Sequence, residues 1–235
     1  MSSDKIDMLL ATYNSVVKVV DSDATKNEEG RAYGGIVRSV KGKLQEHLTE
    51  EIAKIAWESL GGELSRLEIN SKKQFIPIRR EYVLQLEDKT IKQHILSNIN
   101  EYYYGLSVDK QIFIDGEFVI GIECKAYTEN AMLKRILVDF SLLKKAFPNI
   151  SCYLFQLESQ LGGDYSELNE ITFGSKPSHT LMSYFPEVKL KIFTFLKGER
   201  KVNKPIHKSD YFKPLDRKQI EKAIKLLADD MKRYL

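Results

Sequence analysis

Residues 117–127, EFVIGIECKAY, carry an apolar run directly into an acid, a thiol and an amine. The β-branched and aromatic residues of the run predict a strand. Residues i and i+2 of a strand project from the same face, so Glu123 and Lys125 point together while Ile122 and Cys124 point the other way, into a core. The acid and the amine are either a simple ion pair on a solvated face or part of a catalytic group, and a third residue has to decide between them.

The segments around this strand predict a hairpin followed by a βαβ unit. Residues 110–114 alternate in polarity, and Asp115-Gly116 is a turn signal. After the strand, Thr128 is predicted to cap a helix with apolar residues at helical spacing that ends at Pro148. Another strand follows at 152–157. The order strand, helix, strand predicts two parallel strands joined by a right-handed crossover.

The rest of the chain adds helices and shorter strands. Helices are predicted at 4–21, 36–60 and 90–103 and from Asp216 onward, irregular or edge β structure at 64–69 and 74–86, and a strand at 188–196. The predicted fold class is therefore α/β, with a central mixed β-sheet flanked by helices. We expect one domain over 1–235, with a helical part at about 1–62, the hairpin, crossover helix and parallel strand at about 104–158, and a C-terminal elaboration at about 159–235.

The composition is that of an ordinary globular protein. Of 235 residues, 43% are hydrophobic and 29% are charged, and a net charge of +3 is weak evidence for any partner. The N-terminus has no apolar signal-peptide segment, and no apolar run approaches the ~20 residues that span a bilayer. Cys124 and Cys152 lie in predicted strands and are expected to be reduced core residues. These features favour a cytoplasmic protein with no membrane partner.

The third residue of the group should be an acid on the neighbouring strand, and distance selects it. Asp115 lies in the turn, about seven or eight residues from Glu123, which is on the order of 25 Å along a strand. Two carboxylates that share one Mg²⁺ must each approach it to about 2 Å. Asp115 is therefore excluded and is interpreted as a turn former. Asp109 lies at the far end of the hairpin, opposite the region of Gly121 to Glu123.

The length of the turn decides which way Asp109 points. A strict two-residue loop at Asp115-Gly116 would pair Asp109 with Ile122 and turn it toward the core. A three-residue loop, with Gly116 in the left-handed position of a bulge, would pair Asp109 with Gly121 or Glu123. The hypothesis of a three-residue group needs that loop or a bulge elsewhere in the hairpin.

The stretch SVDKQIFIDGEFVIGIECKAYTENAML, residues 107–133, resembles the PD-(D/E)xK nuclease superfamily. Its acid at Asp109, glycine turn, apolar strand, E-x-K sequence and following helix match that pattern over about a third of the chain. Val108 stands where the family name has proline, a position that varies within the superfamily. For a chain of this size, the resemblance is most like a type II restriction endonuclease, and it implies a restriction-endonuclease-like core.

The resemblance implies a metal-dependent site for phosphodiester hydrolysis. Asp109 and Glu123 would be ligands of Mg²⁺, with Mn²⁺ able to substitute, and the backbone carbonyl of Cys124 would be a further ligand. Lys125 would orient or activate the attacking water and offset charge on the phosphate. In related nucleases an earlier helix supplies another glutamate, and Glu46 is the candidate here, against the alternative of a solvated helix face. The products would carry 5′-phosphate and 3′-hydroxyl ends.

Further residues are candidate contacts to double-stranded DNA. They come from the continuation of the catalytic face, from a polar segment at 175–180 that is predicted to be a loop, and from a basic stretch at 197–208. The candidates are Tyr127, Lys176, Ser178, His179, Lys197, Arg200, Lys201, Lys204 and Lys208. The alternative for both segments is a plain surface loop.

The leading functional prediction is a site-specific double-strand DNA endonuclease that acts as a homodimer on a palindromic site in a prokaryotic cytoplasm. A cognate DNA methyltransferase is then expected as a functional partner. Two alternatives stay open at this point. One is a nonspecific or structure-specific repair nuclease or resolvase of the same superfamily. The other is a catalytically silent DNA-binding protein in which Glu123 and Lys125 form a structural ion pair.

Overall fold

The computed structural model describes residues 2–24, 30–163, 165–166, 174–204, 206 and 209–235. The helices of these residues are α1 (Ser2–Ala24), α2 (Gly30–Ser59), α3 (Arg80–Gln85), α4 (Lys89–Ser97), α5 (Asn130–Ala146), α6 (Lys176–Ser183) and α7 (Arg217–Met231). The strands are β1 (Leu67–Asn70), β2 (Gln74–Pro77), β3 (Tyr103–Leu106), β4 (Lys110–Ile114), β5 (Glu117–Thr128), β6 (Ser151–Ser159) and β7 (Lys191–Thr194). Among the described helices, none is long and apolar enough to cross a bilayer.

A five-stranded mixed sheet in the order β1-β4-β5-β6-β7 forms the centre of the fold. The first three strands of this order pair antiparallel, and β5, β6 and β7 pair parallel. Parallel neighbours need a crossover connection, and α5 provides it between β5 and β6. Strands β2 and β3 form a separate two-stranded sheet. The predicted α/β class with a central mixed sheet is confirmed.

Helices cover both faces of the central sheet. On one face α1, α2 and α7 enclose a core that includes Trp57, Ile122 and Phe155. On the other face α5 buries its apolar stripe against the sheet, as its spacing predicts. Because both faces are covered, β5 is buried along most of its length.

The turn of the β4–β5 hairpin is a strict two-residue loop. Ile114 pairs with Glu117, and both loop residues have positive φ, 51° at Asp115 and 80° at Gly116, as a type I′ turn requires. Taken alone, this loop would turn Asp109 toward the core. The hypothesis allowed either a three-residue loop or a bulge elsewhere in the hairpin, and the three-residue loop is wrong.

A β-bulge in the hairpin supplies the other geometry. Phe113 pairs with Phe118, but Ile112 pairs with Ile120, so Val119 is an extra residue on β5. Beyond the bulge Lys110 pairs with Ile122, and continuing that register places Asp109 opposite Glu123. Phe118 is buried on the α5 face and Ile120 is buried on the opposite face, because the bulge interrupts the alternation of the strand between them.

The ends of several elements differ from the predictions. Thr128 is the last residue of β5, where it pairs with Ser159, so it does not cap α5, whose N-cap is Glu129. The predicted helix at 90–103 ends at Ser97, because the chain then makes a 3-10 turn and enters β3.

Two segments form helices where none was predicted. Residues 80–85 are α3 rather than edge β structure. The segment at 175–180 is not a loop but the start of α6, because Ser175 accepts a hydrogen bond from the backbone N–H of Ser178 and Pro177 lies in the first turn. The C-terminal part also contributes to the core of the fold, since β7 extends the central sheet and α7 packs against α2.

Candidate active site

Three of the predicted residues meet where β4 begins. Asp109 immediately precedes β4, and its Oδ2 accepts hydrogen bonds from the backbone N–H of Cys124 and from Lys125 Nζ, both at 2.8 Å. Lys125 Nζ also donates to Glu123 Oε2. Two carboxylates from neighbouring strands therefore converge on one ammonium group, as the bulged register requires.

The backbone of Cys124 faces the same point as the two carboxylates. In an antiparallel ladder the N–H and C=O of one residue point to the same side of the strand. The N–H of Cys124 bonds to Asp109, so its carbonyl also lies on this edge, and β4 begins only at Lys110, opposite Ile122. The carbonyl of Cys124 is thus next to the Asp109 carboxylate and beyond the end of the β4 ladder.

The thiol of Cys124 takes no part in this group. It lies on the opposite face of β5 and contacts Thr49 Oγ1 of α2 at 3.3 Å. Burial raises the pKa of this thiol far above its usual value, and burial raises the pKa of Cys152 to about 12. Both cysteines are free, buried and protonated, as predicted for reduced core residues.

Burial and charge act together on Glu123 and Lys125. Glu123 is 7% exposed, and burial, with a contribution from the Asp109 carboxylate, raises the pKa of Glu123 to about 7 against the opposing effect of Lys125. Burial alone would lower the pKa of Lys125, but the two carboxylates outweigh it and raise that pKa. Lys125 is therefore a permanent ammonium between two acids, one of which titrates near neutrality.

Helix α2 brings further charges to the edge of this group. Lys110, the residue after Asp109, forms an ion pair with Glu50 at 2.8 Å, and this contact lowers the pKa of Glu50. Glu46 is half-buried and lies one turn earlier on the same side of α2. Within the described part of the chain, no hydrogen bond or ion pair joins Glu46 to Asp109 or Glu123.

The oxygen atoms of this group suit a hard divalent cation. Two carboxylates that reach the same nitrogen atom, together with a backbone carbonyl on the same edge, are the ligand types of Mg²⁺. Among the described residues no cluster of three or more His, Cys, Asp or Glu side chains could hold a metal. The donor set is therefore two carboxylates completed by the backbone, which fits an ion that keeps several of its waters.

The structure brings together two residues that the sequence separates by 73 positions, Tyr127 and Arg200. The Arg200 guanidinium stacks over the Tyr127 ring, 3.6 Å from its centroid. Arg200 also donates to Gln160 Oε1 at 2.7 Å, and its backbone N–H donates to Ser159 at 2.7 Å. These contacts fix a cation at the carboxyl ends of β5 and β6, two residues beyond Lys125 on the same face.

Three of the predicted lysines line one cavity. Lys197, Lys201 and Lys204 line a space of about 290 Å³ together with Gly198, Glu199, Tyr211 and Lys213, so four lysines face one glutamate. The Lys204 ammonium lies 5.7 Å from the centre of the Tyr211 ring. Lys208 falls outside the described residues. Excess positive charge in one concave site is the environment that an anionic group such as a phosphate requires.

The three predicted contacts on α6 separate into two groups. Lys176 and His179 are exposed. Ser178 is fully buried, and its hydroxyl donates to Asn130 Oδ1 at 2.7 Å and lies 3.0 Å from the Leu161 carbonyl. The prediction that Ser178 contacts DNA is therefore wrong, because its side chain joins α6 to the start of α5.

Gln156 is a polar residue at this site that the sequence predictions did not include. It lies on β6 and pairs with Lys125 across the ladder. The signal was available as a single glutamine within the apolar stretch CYLFQLES, 152–159. A polar side chain inside a buried strand is expected to have a hydrogen-bond partner or a functional role.

No protein-family model matches the chain. The chain is 54% identical over 233 residues to the type II restriction enzyme DdeI of Desulfomicrobium norvegicum (strain DSM 1741 / NCIMB 8310), and the match covers 98% of this chain and 97% of that protein. The solved structure titled "native BbvCI A2B2 tetramer at low resolution" matches with a TM-score of 0.36 and 11% identity over 98% of this chain and 89% of that one, which is too weak a likeness to support an argument. Identity above one half that runs along almost the entire length of both proteins shows that this chain belongs to the type II restriction enzymes, which are site-specific DNA endonucleases.

Proposed function

We propose that the endonuclease site is the group formed by Asp109, Glu123 and Lys125, and that the chain is a PD-(D/E)xK nuclease. The carboxylates of Asp109 and Glu123 and the backbone carbonyl of Cys124 would hold Mg²⁺, with Mn²⁺ able to substitute. The observation that carries this proposal is the convergence of both carboxylates on Lys125 Nζ at the edge of the Cys124 backbone. Cleavage of double-stranded DNA would leave 5′-phosphate and 3′-hydroxyl ends.

Each residue of the group has a role that follows from its chemistry. The bound divalent ion polarises the phosphodiester and lowers the pKa of coordinated water. Asp109 and Glu123 supply the negative charge that holds the ion next to the phosphate. Lys125, which stays protonated, orients the attacking water and offsets negative charge on the phosphate oxygens.

The alternatives that the sequence left open have no observation in their favour. A catalytically silent scaffold would need no second acid beside the Glu123–Lys125 pair, whereas Asp109 reaches Lys125 Nζ from another strand. A nonspecific or structure-specific nuclease would share the same chemistry but not the close relation to a type II restriction enzyme.

We extend the metal site to Glu46. Glu50 is engaged by Lys110 and Lys54, and Glu51 is engaged by Lys54. Glu46 lies on the side of α2 that carries Glu50, and we propose that it would hold a water of the metal ion or a second ion.

We further propose which residues contact DNA. Arg200, held over Tyr127 on the catalytic face, would bind a backbone phosphate near the scissile bond. The lysine cavity would bind another phosphate, and Lys208, which belongs to the same basic stretch of the sequence, is proposed as a further DNA contact. Lys176 and His179 are exposed at the start of α6, where their donors can meet base edges or phosphates. The cavity lysines are Lys197, Lys201 and Lys204.

A homodimer is the assembly that we propose for cutting both strands of a two-fold symmetric site. The small β2–β3 sheet carries three aromatic side chains that are each more than half exposed, Phe75, Tyr103 and Tyr104. Such a group is unusual for a surface without a partner. A cognate DNA methyltransferase that protects the host site would be the functional partner.

Plasmid cleavage in Mg²⁺ tests the proposed site. Discrete fragments are expected from the native protein, and sequencing their ends should return one recognition site with 5′-phosphate termini. Asp109→Asn, Glu123→Gln and Lys125→Met should each abolish these fragments and keep the native circular-dichroism spectrum. A Lys125→Met protein that still produces the fragments at the native rate would refute the assignment of the site.

A further inference from the structure

Gln156 lies beside Lys125 on the next strand of the sheet. In the parallel ladder of β5 and β6, Lys125 pairs with Gln156, and in the ladder of β6 and β7, Gln156 pairs with Thr194. Partners in neighbouring strands project from the same face of a sheet, about 4.8 Å apart. Gln156 therefore projects from the face that carries Glu123 and Lys125.

The amide of Gln156 is only half satisfied. The residue is fully buried, and its Nε2 donates to Thr194 Oγ1 at 3.1 Å. Its Oε1 is buried and has no hydrogen-bond partner among the described residues. Native proteins rarely leave such an acceptor unpaired, since burying it without a donor costs free energy.

The orientation of this amide makes its oxygen available to Lys125. Thr194 on β7 takes the amino end of the amide, so the oxygen is the end left for the opposite side, where β5 carries Lys125. An ammonium group has three donors, and two of those of Lys125 are directed to Asp109 and Glu123. Lys125, which has one donor not directed to these carboxylates, and the unpaired Oε1 of Gln156 thus lie on neighbouring strands.

Metal binding would change the partners of Lys125. Lys125 Nζ lies at the point where the two carboxylates converge. A divalent cation held by the same carboxylates would repel the ammonium, so Lys125 would have to give up one or both of these contacts. A replacement acceptor on the same face would keep Lys125 within the site instead of letting it turn to solvent.

We propose that Gln156 is a positioning residue whose Oε1 accepts a hydrogen bond from Lys125 when a divalent cation occupies Asp109 and Glu123. This inference rests on the proposed function and deepens it. It assigns the glutamine of β6 to the step in which Lys125 changes from a counter-ion of the carboxylates to a group that faces the phosphate. Gln156 itself touches neither the metal nor the DNA.

Metal binding without DNA provides the first test. Gln156→Met keeps the shape of the side chain and removes the acceptor, and Mn²⁺ binding is measured by isothermal titration calorimetry. We expect about fivefold weaker binding, because the displaced ammonium then lacks its acceptor. In a Lys125→Met background the same change should alter Mn²⁺ affinity less than twofold. Gln219→Met is the matched control, since Gln219 is also fully buried with an unpaired amide but lies on α7, on the other face of the sheet.

Cleavage provides the second test. At saturating DNA and Mg²⁺, Gln156→Met should lower kcat about tenfold with KM unchanged. Gln156→Glu, which restores an acceptor at the same position, should recover most of that loss. The Gln219→Met control should cut at the native rate.

Two results would overturn the inference: native Mn²⁺ affinity in Gln156→Met, or an equal loss of affinity with and without Lys125. The second result would mean that Gln156 acts only through packing. These outcomes are separate from a failure of the proposed function, which would appear as a native protein that does not cut DNA, or as Lys125→Met cutting normally. If the native protein cuts DNA and needs Lys125 to do so, but Gln156→Met binds Mn²⁺ with native affinity, this inference is refuted and the proposed function stands.

Discussion

Replacing Lys125 by methionine should separate metal binding from cleavage. The Lys125 ammonium contacts both Asp109 and Glu123, so an incoming cation would compete with it for the same oxygens. Methionine has a similar length and no charge, and it removes that competitor. The variant should therefore bind a divalent cation more tightly than the native protein and cut DNA far more slowly.

The magnitude follows from the geometry of the two acids. Both carboxylates are within hydrogen-bond distance of one nitrogen, so their oxygens are at most about 6 Å apart. At that separation and an effective dielectric constant of about 20, two like charges repel by about 3 kcal/mol. A cation relieves this repulsion in the methionine variant, whereas Lys125 already relieves it in the native protein. If about half of this repulsion energy contributes to the free energy of Mn²⁺ binding, the Mn²⁺ affinity of Lys125→Met is roughly tenfold higher than that of the native protein.

Two measurements check this expectation. Calorimetric titration of Mn²⁺ at pH 8 gives the affinity, and single-turnover cleavage gives the rate, which should fall at least about 10²-fold to 10³-fold, as for the loss of one group that stabilises transition-state charge. Weaker Mn²⁺ binding by Lys125→Met than by the native protein would refute the competition. Cleavage within tenfold of the native rate would refute the catalytic role.

The raised pKa of Glu123, about 7, would give the proposed metal site a pH dependence with a defined sign. The folded protein holds this carboxyl protonated at a pH where the unfolded chain, with a usual value of 4.5, has ionised it. Metal-free stability should therefore fall as pH rises from about 4.5 to about 7. Mn²⁺ affinity should rise over the upper part of this range and level off above it, because the ion binds the ionised form. An affinity that is constant between pH 5.5 and 8 would contradict the buried position of this acid.

Three further substitutions separate DNA binding, metal binding and stability. Arg200→Ala should weaken DNA binding measured by anisotropy, and the slope of log affinity against log salt concentration should fall by about one. Arg233 is also stacked on a tyrosine but lies at the opposite end of β6, so Arg233→Ala should change neither quantity. Glu46→Gln should lower Mg²⁺-dependent cleavage about tenfold and Glu51→Gln less than twofold, and equal rates would remove Glu46 from the site. Tyr153→Phe should cost about 1–3 kcal/mol in urea unfolding, because it removes a buried hydroxyl bonded to a carboxylate of α7, with cleavage at 25 °C unchanged.

Sequence periodicity predicted the elements that build the site but not the register that completes it. The hairpin, the crossover helix and the parallel strand follow from apolar spacing and turn residues, and all are present. The bulge at Val119 could not be predicted, because one apolar residue within FVIGI, 118–122, looks like any other. What places it is tertiary packing, since Phe118 stacks on Phe113 and meets Phe147 beyond α5.

The predicted DNA contacts show the same limit. A basic stretch can be recognised in a sequence, but the stacking of Arg200 on Tyr127 joins residues from distant segments and depends on how the chain returns after β7. The error at Ser178 has a local cause. Ser175, Pro177 and Ser178 are typical of a loop, but a serine N-cap with proline in the first turn is equally typical of a helix start. The helix that begins here buries the hydroxyl of Ser178.

The position of β5 between an antiparallel and a parallel neighbour explains why the site forms where it does. The antiparallel neighbour, β4, begins at Lys110, so β5 runs beyond it and leaves the Cys124 carbonyl and the Asp109 carboxylate at an open edge. The parallel neighbour, β6, continues alongside β5 to Ser159 and keeps Gln156 beside Lys125. In the proposed function, the open edge on one side would admit an ion and a phosphate, and the continuous ladder on the other side would keep Gln156 beside Lys125.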